Sequence, residues 1–205
     1  MVAILANGEF PESENVLRRL AASARIICCD GAAKTALKAG LRIDAVVGDG
    51  DSLDEDVKSR LSGLWHKVDE QDTNDLSKAF RFAVKEGAEH IEIFGASGKR
   101  EDHLIGNIFH LIDFNAGKAR VDMVTDHGFF TVVRAGERRT FTYPVGSAVS
   151  VFAPLSGTEV KSEGLRWPLD GLSLDTLWRG TLNRTESQAF AIHSTRPAII
   201  FISCV

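Results

Sequence analysis

Apolar and polar positions change period repeatedly along the first half of the chain. Short apolar runs at 2–6, 25–29, 45–47, 65–68, 90–94 and 120–124 read as strands. Between them apolar residues recur at helical spacing. Val16, Leu17 and Leu20 mark one face of a helix over 13–22, and Leu76, Ala79, Phe80 and Ala83 one face of a helix over 76–86. Further helices are predicted over 32–39, 54–63 and 102–114, with Gly40 and Gly87 as stops for the helices that precede them. Strand alternating with helix predicts a mostly parallel sheet with helices on both faces.

From about Phe129 no helical period is sustained. Short alternating runs at 129–133, 138–143, 148–153, 158–162, 189–193 and 198–202 are separated by turns rich in Gly, Pro and Ser. This pattern predicts antiparallel strands in a sandwich or barrel. The change of period places a boundary near Asp126-His127-Gly128. The expectation is an α/β domain over 1–126 and an all-β sandwich over 127–205. No internal repeat or low-complexity segment interrupts either part.

Composition narrows the class. An apolar fraction of 44% and a charged fraction of 25% are ordinary for a globular protein. A net charge of −4 argues against a nucleic-acid partner held by a basic surface. No apolar run approaches the ~20 residues that span a bilayer. The apolar start, 1–8, lacks a basic n-region and ends in a turn, so it reads as a first strand and not a signal peptide. The three cysteines are Cys28, Cys29 and Cys204. Neighbours in a strand point to opposite faces, so this usage predicts buried reduced thiols in a cytoplasmic protein rather than a redox or zinc site.

Candidate chemistry collects where strands end, the edge at which open α/β sheets bind ligands. The third strand runs into Gly48-Asp49-Gly50-Asp51-Ser52. In an extended segment Asp49 and Asp51 share a face, and two hard oxygen donors suit Mg²⁺ carried by a polyphosphate. A solvated acidic turn is the alternative. Asp30 follows the second strand, Gln71-Asp72-Thr73-Asn74-Asp75 the fourth, and Gly95-Ala96-Ser97-Gly98-Lys99-Arg100-Glu101-Asp102-His103 the fifth. Asp72 or Thr73 is placed as the cap of the helix that begins near Asp75. Carboxylates gathered on one sheet edge repel unless cations neutralise them. Arg100 can fork onto a phosphate, and the glycine-rich loop lets backbone amides approach one. It is not a P-loop, because the G-x-x-x-x-G-K-[ST] spacing is absent. His103, at a helix start, reads as a hydrogen-bonding group rather than a general base. This inventory suits phosphoryl-type transfer, which needs positioning and charge neutralisation more than covalent help.

The three acidic and basic segments, in this order, resemble the motifs of thiamine pyrophosphokinases. Asp30-Gly31-Ala32 is similar to that family's early Asp-Gly-Gly-Ala element, and 163–169 resembles a strand of its second domain. The resemblance implies a nucleotide-binding α/β domain, a thiamine-binding β-sandwich, Mg²⁺, and a homodimer with active sites between subunits. It implies transfer of diphosphate from ATP to the hydroxyethyl oxygen of thiamine, releasing AMP. Asp49, Asp51 and Asp75 would bind Mg²⁺ and polyphosphate, while Arg100 and Asp102 would position phosphates and the attacking hydroxyl. Asp30, Gly31, Ser52, Gln71, Asn74, Lys99 and His103 would contact nucleotide or substrate, and Asn183 would contact thiamine. Lys99 stands where the family commonly has glycine, Asn74 where it has threonine, and Leu182 where it has serine. Leu182 keeps open a diphosphotransferase acting on a pterin or pyrimidine alcohol. A third reading is a non-catalytic nucleotide or thiamine-diphosphate sensor.

Overall fold

The computed structural model describes residues 1–203. Cys204 lies outside the described residues. Two compact units form: Met1–Asn107 with Lys118–Asp126, and Ile108–Gly117 with the chain from His127 onward.

The first unit contains strands β1 (Val2–Leu5), β2 (Arg25–Cys29), β3 (Ala45–Gly48), β4 (Trp65–Lys67), β5 (His90–Phe94) and β6 (Arg120–Thr125). They lie in the order β6-β5-β1-β2-β3-β4, and every neighbouring pair is parallel. Ile4 pairs with Ile27 on one side and Ile93 on the other. Ala3, Ile4, Ile27, Val46, Val47 and Ile93 are all fully buried. Strands covered on both faces show unbroken apolar runs, which is why they were readable without alternation. The helices are α1 (Glu14–Ala21), α2 (Ala32–Lys38), α3 (Glu55–Arg60), α4 (Asp75–Lys85) and the start of α5 (Glu101–Phe114), which from Ile108 belongs to the second unit. α4 packs on β1, β2 and β3. The chain runs outward from β1 to β4 and then returns to lay β5 on the other side of β1. The crevice outside the C-terminal ends of β1 and β5 is therefore the topological switch point, where such sheets bind ligands.

The second unit contains β7 (Gly128–Val133), β8 (Arg138–Thr142), β9 (Ala148–Phe152), β10 (Val160–Glu163), β11 (Asn183–Arg184), β12 (Ala189–Ser194) and β13 (Ala198–Ser203). They pair antiparallel as β11-β9-β13-β7 and β10-β12-β8. Val149, Val151, Ile200 and Ile202 from the first set meet Phe141, Val160, Phe190 and Ile192 from the second in one core. The rings of Phe141 and Phe190 stack at 4.9 Å. The alternation in these strands is the signature of two sheets packed face to face.

The segment likened to a family strand at 163–169 is not one. β10 ends at Glu163, and Leu165 makes only an isolated bridge to Thr185. Around that bridge the Arg166 N–H donates to Arg184 O and the Glu186 N–H to Gly164 O, and beyond it the Leu169 N–H donates to Ser162 Oγ and the Ser162 N–H to Asp170 Oδ2. β11 and a short 3-10 turn at Leu177–Gly180 carry no periodic signal and were not predicted.

Candidate active site

The loop after β1 and the loop after β5 lie backbone to backbone. Gly8 N–H donates to Gly95 O at 2.7 Å, and Glu9 N–H to Ser97 O at 2.7 Å. A Cβ on Gly8 would stand 2.4 Å from Gly95 O, so only glycine allows this approach. Lys99 fastens the same pair of loops, its Nζ donating to Asn7 O at 3.0 Å. Beside them opens a cavity of about 370 Å³, lined in part by Asn7, Cys29, Asp75, Ser97, Arg100 and His103. Asn74 and Lys99 also reach it.

Asp75 stands at the first position of α4. The cap is Asn74, whose Oδ1 accepts from Ser77 N–H at 2.9 Å and Ser77 Oγ at 2.8 Å. Asp72 and Thr73, the caps expected from sequence, precede the capping position. Asn74 accordingly spends its carbonyl oxygen on the helix start, where a threonine hydroxyl could cap as well.

β3 ends at Gly48, and the chain then turns instead of staying extended. Gly50 has φ +86°, and a Cβ there would lie 2.3 Å from the Trp65 ring. The shared face expected for Asp49 and Asp51 is lost for this reason. Asp51 N–H donates back to Asp49 Oδ1 at 3.1 Å, and the Asp51 side chain is exposed. Gln71 Nε2 donates to Asp49 Oδ2 at 3.3 Å, joining the loops after β3 and β4. The Asp51 N–H is the main cause that holds the Asp49 carboxyl below its ordinary value, with Gln71 and Lys78 adding to it.

Asp30 is 2% exposed. Its Oδ2 accepts from Ser52 N–H at 3.0 Å, while Oδ1 is buried with no hydrogen-bond partner. Burial pushes this carboxyl up. The Ser52 N–H works against that rise, and the carboxylates of Asp75 and Asp49 add to it. Gly31 packs directly on Asn7: a Cβ there would meet Asn7 Nδ2 at 2.6 Å. Burial likewise pushes the Cys28 thiol up to about 12, and the Cys29 thiol is raised too. Both thiols are free and inert, as buried cysteines are.

Arg100 and Asp102 are turned toward each other. The guanidinium forks onto the carboxylate, which holds Asp102 below the usual carboxylate range and raises Arg100. Asp102 Oδ1 also accepts from the His103 backbone N–H at 3.0 Å.

In the second unit Asn183 is 3% exposed, and its amide is taken up internally. Its Oδ1 accepts from the N–H groups of Trp167 and Arg184, and its Nδ2 donates to Trp167 O at 2.6 Å. Its neighbour Leu182 has φ +62° and is 84% exposed.

Residues 17–123 match the description "Thiamin pyrophosphokinase, catalytic domain", and residues 128–201 "Thiamin pyrophosphokinase, substrate-binding domain". The chain belongs to the thiamin pyrophosphokinase family. It is 32% identical over 147 residues to thiamine pyrophosphokinase 1 of Oryza sativa subsp. japonica, a match covering 64% of this chain and 54% of the relative. It is 36% identical over 78 residues to thiamine pyrophosphokinase of Bacillus subtilis, covering 36% of each. The aligned stretches thus span about half or less of these relatives' length. The fold matches the crystal structure of thiamine pyrophosphokinase from Bacillus subtilis with a TM-score of 0.81 at 20% identity, covering 98% of both chains.

Lys78 and Asn7 are the site residues that sequence reasoning missed. Lys78 Nζ lies 3.2 Å from Asp75 Oδ1 and 3.8 Å from Asp49 Oδ2, with its side chain 2% exposed. A usable signal was its i,i+3 spacing from Asp75 on one helix.

Among the described residues, no three His, Cys, Asp or Glu side chains gather as a metal-holding group. Asp49, Asp51 and Asp75 therefore do not form a ready cage: the turn at Gly50 exposes Asp51, and Lys78 contacts both of the others. The donor chemistry still fits Mg²⁺, which takes one or two carboxylates with the remaining positions left to phosphate oxygens and water. The unpartnered Asp30 Oδ1 is a further hard oxygen beside them.

Proposed function

We propose that this chain is a thiamine diphosphokinase. It transfers the terminal diphosphate of ATP to the hydroxyethyl oxygen of thiamine and releases AMP. The observation that carries the reading is the cavity at the switch point, where Asp75 and Arg100 stand on one wall system with Lys99 and Asn7. It brings acid for a polyphosphate-borne cation and a planar cation for phosphate to one place, within a chain that matches both family domains in order.

Asp49, Asp51 and Asp75 are the carboxylates that would hold Mg²⁺. Held there with the nucleotide, it would supply neutralisation of polyphosphate charge. The thiamine oxygen attacks the β-phosphorus, and the bond from that phosphorus to the α,β-bridging oxygen breaks, leaving AMP. Such transfers rest on alignment and charge stabilisation. Arg100 opens from Asp102 to fork onto phosphate oxygens. Asp102, released as Arg100 opens, accepts a hydrogen bond from the thiamine hydroxyl and orients it, and the hydroxyl proton passes to solvent as the new bond to phosphorus forms. Gln71 keeps Asp49 aimed. Asn183 acts through the backbone of Trp167, which is 52% exposed and available to an aromatic acceptor. The chain works as a homodimer in the cytoplasm with its sites shared between subunits. No helix among the described residues is long and apolar enough to cross a membrane.

The deciding experiment is AMP release from ATP and Mg²⁺, with thiamine present or omitted. Thiamine-dependent AMP is the expected result. AMP release only with a pterin or pyrimidine alcohol would move the acceptor, a result that exposed Leu182 would then explain. Nucleotide binding without AMP under any acceptor would make the protein a sensor.

A further inference from the structure

Lys78 occupies a place that works against a lysine on three counts. Its side chain is 2% exposed, and a buried ammonium is costly unless paired. It lies in the first turn of α4, the end of a helix that disfavours cations. Its neighbours on the buried side of that helix are Leu76, Ala79 and Ala83. The compensation comes from Asp75 Oδ1 at 3.2 Å and Asp49 Oδ2 at 3.8 Å.

The same contacts matter from the acids' side. Asp49 comes from the end of β3 and Asp75 from the start of α4, and two like charges brought to one point repel. Asp75 lines the cavity and Lys78 does not. The ammonium thus meets these carboxylates without standing on the cavity wall.

We propose that Lys78 is a positioning residue, a resident counter-ion that holds Asp49 and Asp75 side by side before any divalent cation arrives. A fixed positive charge under the pair also weakens their hold on a bare cation, whereas a cation carried by polyphosphate brings its own negative charge. The site is thereby tuned to take metal and nucleotide together. This rests on reading Asp49 and Asp75 as the cation-holding carboxylates.

The test is thermal melting of the full chain and its Lys78→Met variant, in EDTA and in millimolar Mg²⁺, without nucleotide. In EDTA the variant is expected to melt about 5–10 °C below the wild type, as loss of one member of a buried ion pair implies. Mg²⁺ should restore most of that loss in the variant and shift the wild type far less. Calorimetric titration with Mg²⁺ alone should show tighter binding to the variant. Equal Mg²⁺ shifts in the two proteins, or equal melting in EDTA, would overturn the proposal. If Lys78→Met does not fold, Lys78→Met/Asp49→Asn relieves the repulsion and should fold in EDTA; failure of that double variant also overturns it. The outcome is separable from the proposed activity. Thiamine-dependent AMP release with equal Mg²⁺ shifts keeps the function and discards the counter-ion. Unequal shifts without AMP release do the reverse.

Discussion

Arg100 and Asp102 grip each other at two points, Nε to Oδ1 at 3.0 Å and Nη2 to Oδ2 at 2.6 Å. The side chains are 66% and 62% exposed, so the pair contributes little to stability. In the proposed mechanism it keeps a planar cation on the cavity wall, which Arg100 lines. Arg100→Ala should leave Tm within about 2 °C of the wild type. It should lower kcat/KM for ATP by about 100-fold or more. Arg100→Lys should recover little, because a point charge cannot replace a fork. Steady-state AMP release beside thermal melts measures both, and an alanine variant with unchanged kcat/KM removes Arg100 from the site.

Gly50 sets the turn that separates Asp49 from Asp51. Gly50→Ala introduces a Cβ at φ +86° and 2.3 Å from the Trp65 ring. The cost should be about 1–3 kcal/mol of stability. Activity should fall further than stability alone explains, because the loop must shift and carry Asp49 away from Gln71 and Lys78. Denaturant unfolding together with kcat under fully folded conditions reads the two effects separately. A folded variant with wild-type kcat would show that the loop geometry is not needed.

Asp30 should make stability depend on pH with an unusual sign. Burial raises its carboxyl above the ordinary aspartate value, more than the Ser52 N–H lowers it. The folded state then binds the proton more tightly than the unfolded one. Stability from this group is greatest below the unfolded value, and it is lost as pH rises through the folded value. Asp30→Asn should therefore gain on the wild type as pH is raised from about 4 to 7 in EDTA. Melts of the two proteins across that range decide it; parallel curves would show that the Asp30 charge is not the source.

Asn183 and Leu182 should separate fold from acceptor recognition. Asn183→Ala removes the buried amide that pairs with the partly buried Trp167 N–H and C=O. The loss should be about 1–3 kcal/mol, visible in melting before any kinetics are run. Leu182→Ser should leave the KM for ATP unchanged and lower that for thiamine or leave it alone, because the side chain is exposed and restores the family's polar group. A raised KM for ATP would place residue 182 outside the acceptor half.

What the sequence determined by itself was whatever depends on local period and order. Buried parallel strands announce themselves as continuous apolar runs, and sandwich strands by alternation, because each side chain's face follows from its position in the element. The acidic and basic loops followed from strand ends in the same way, and their order carried the family. The tertiary structure alone decided which groups meet. Asp49 and Asp51 do not share a face, because a turn at Gly50 replaced the extended backbone. Asn183 serves Trp167 because an isolated bridge and a two-residue strand fold that stretch back on itself. Lys78 meets Asp49 and Asp75 only because the sheet order brings the end of β3 beside the start of α4. A charge is placed by its partners across space, and those partners are set by strand order rather than by distance along the chain.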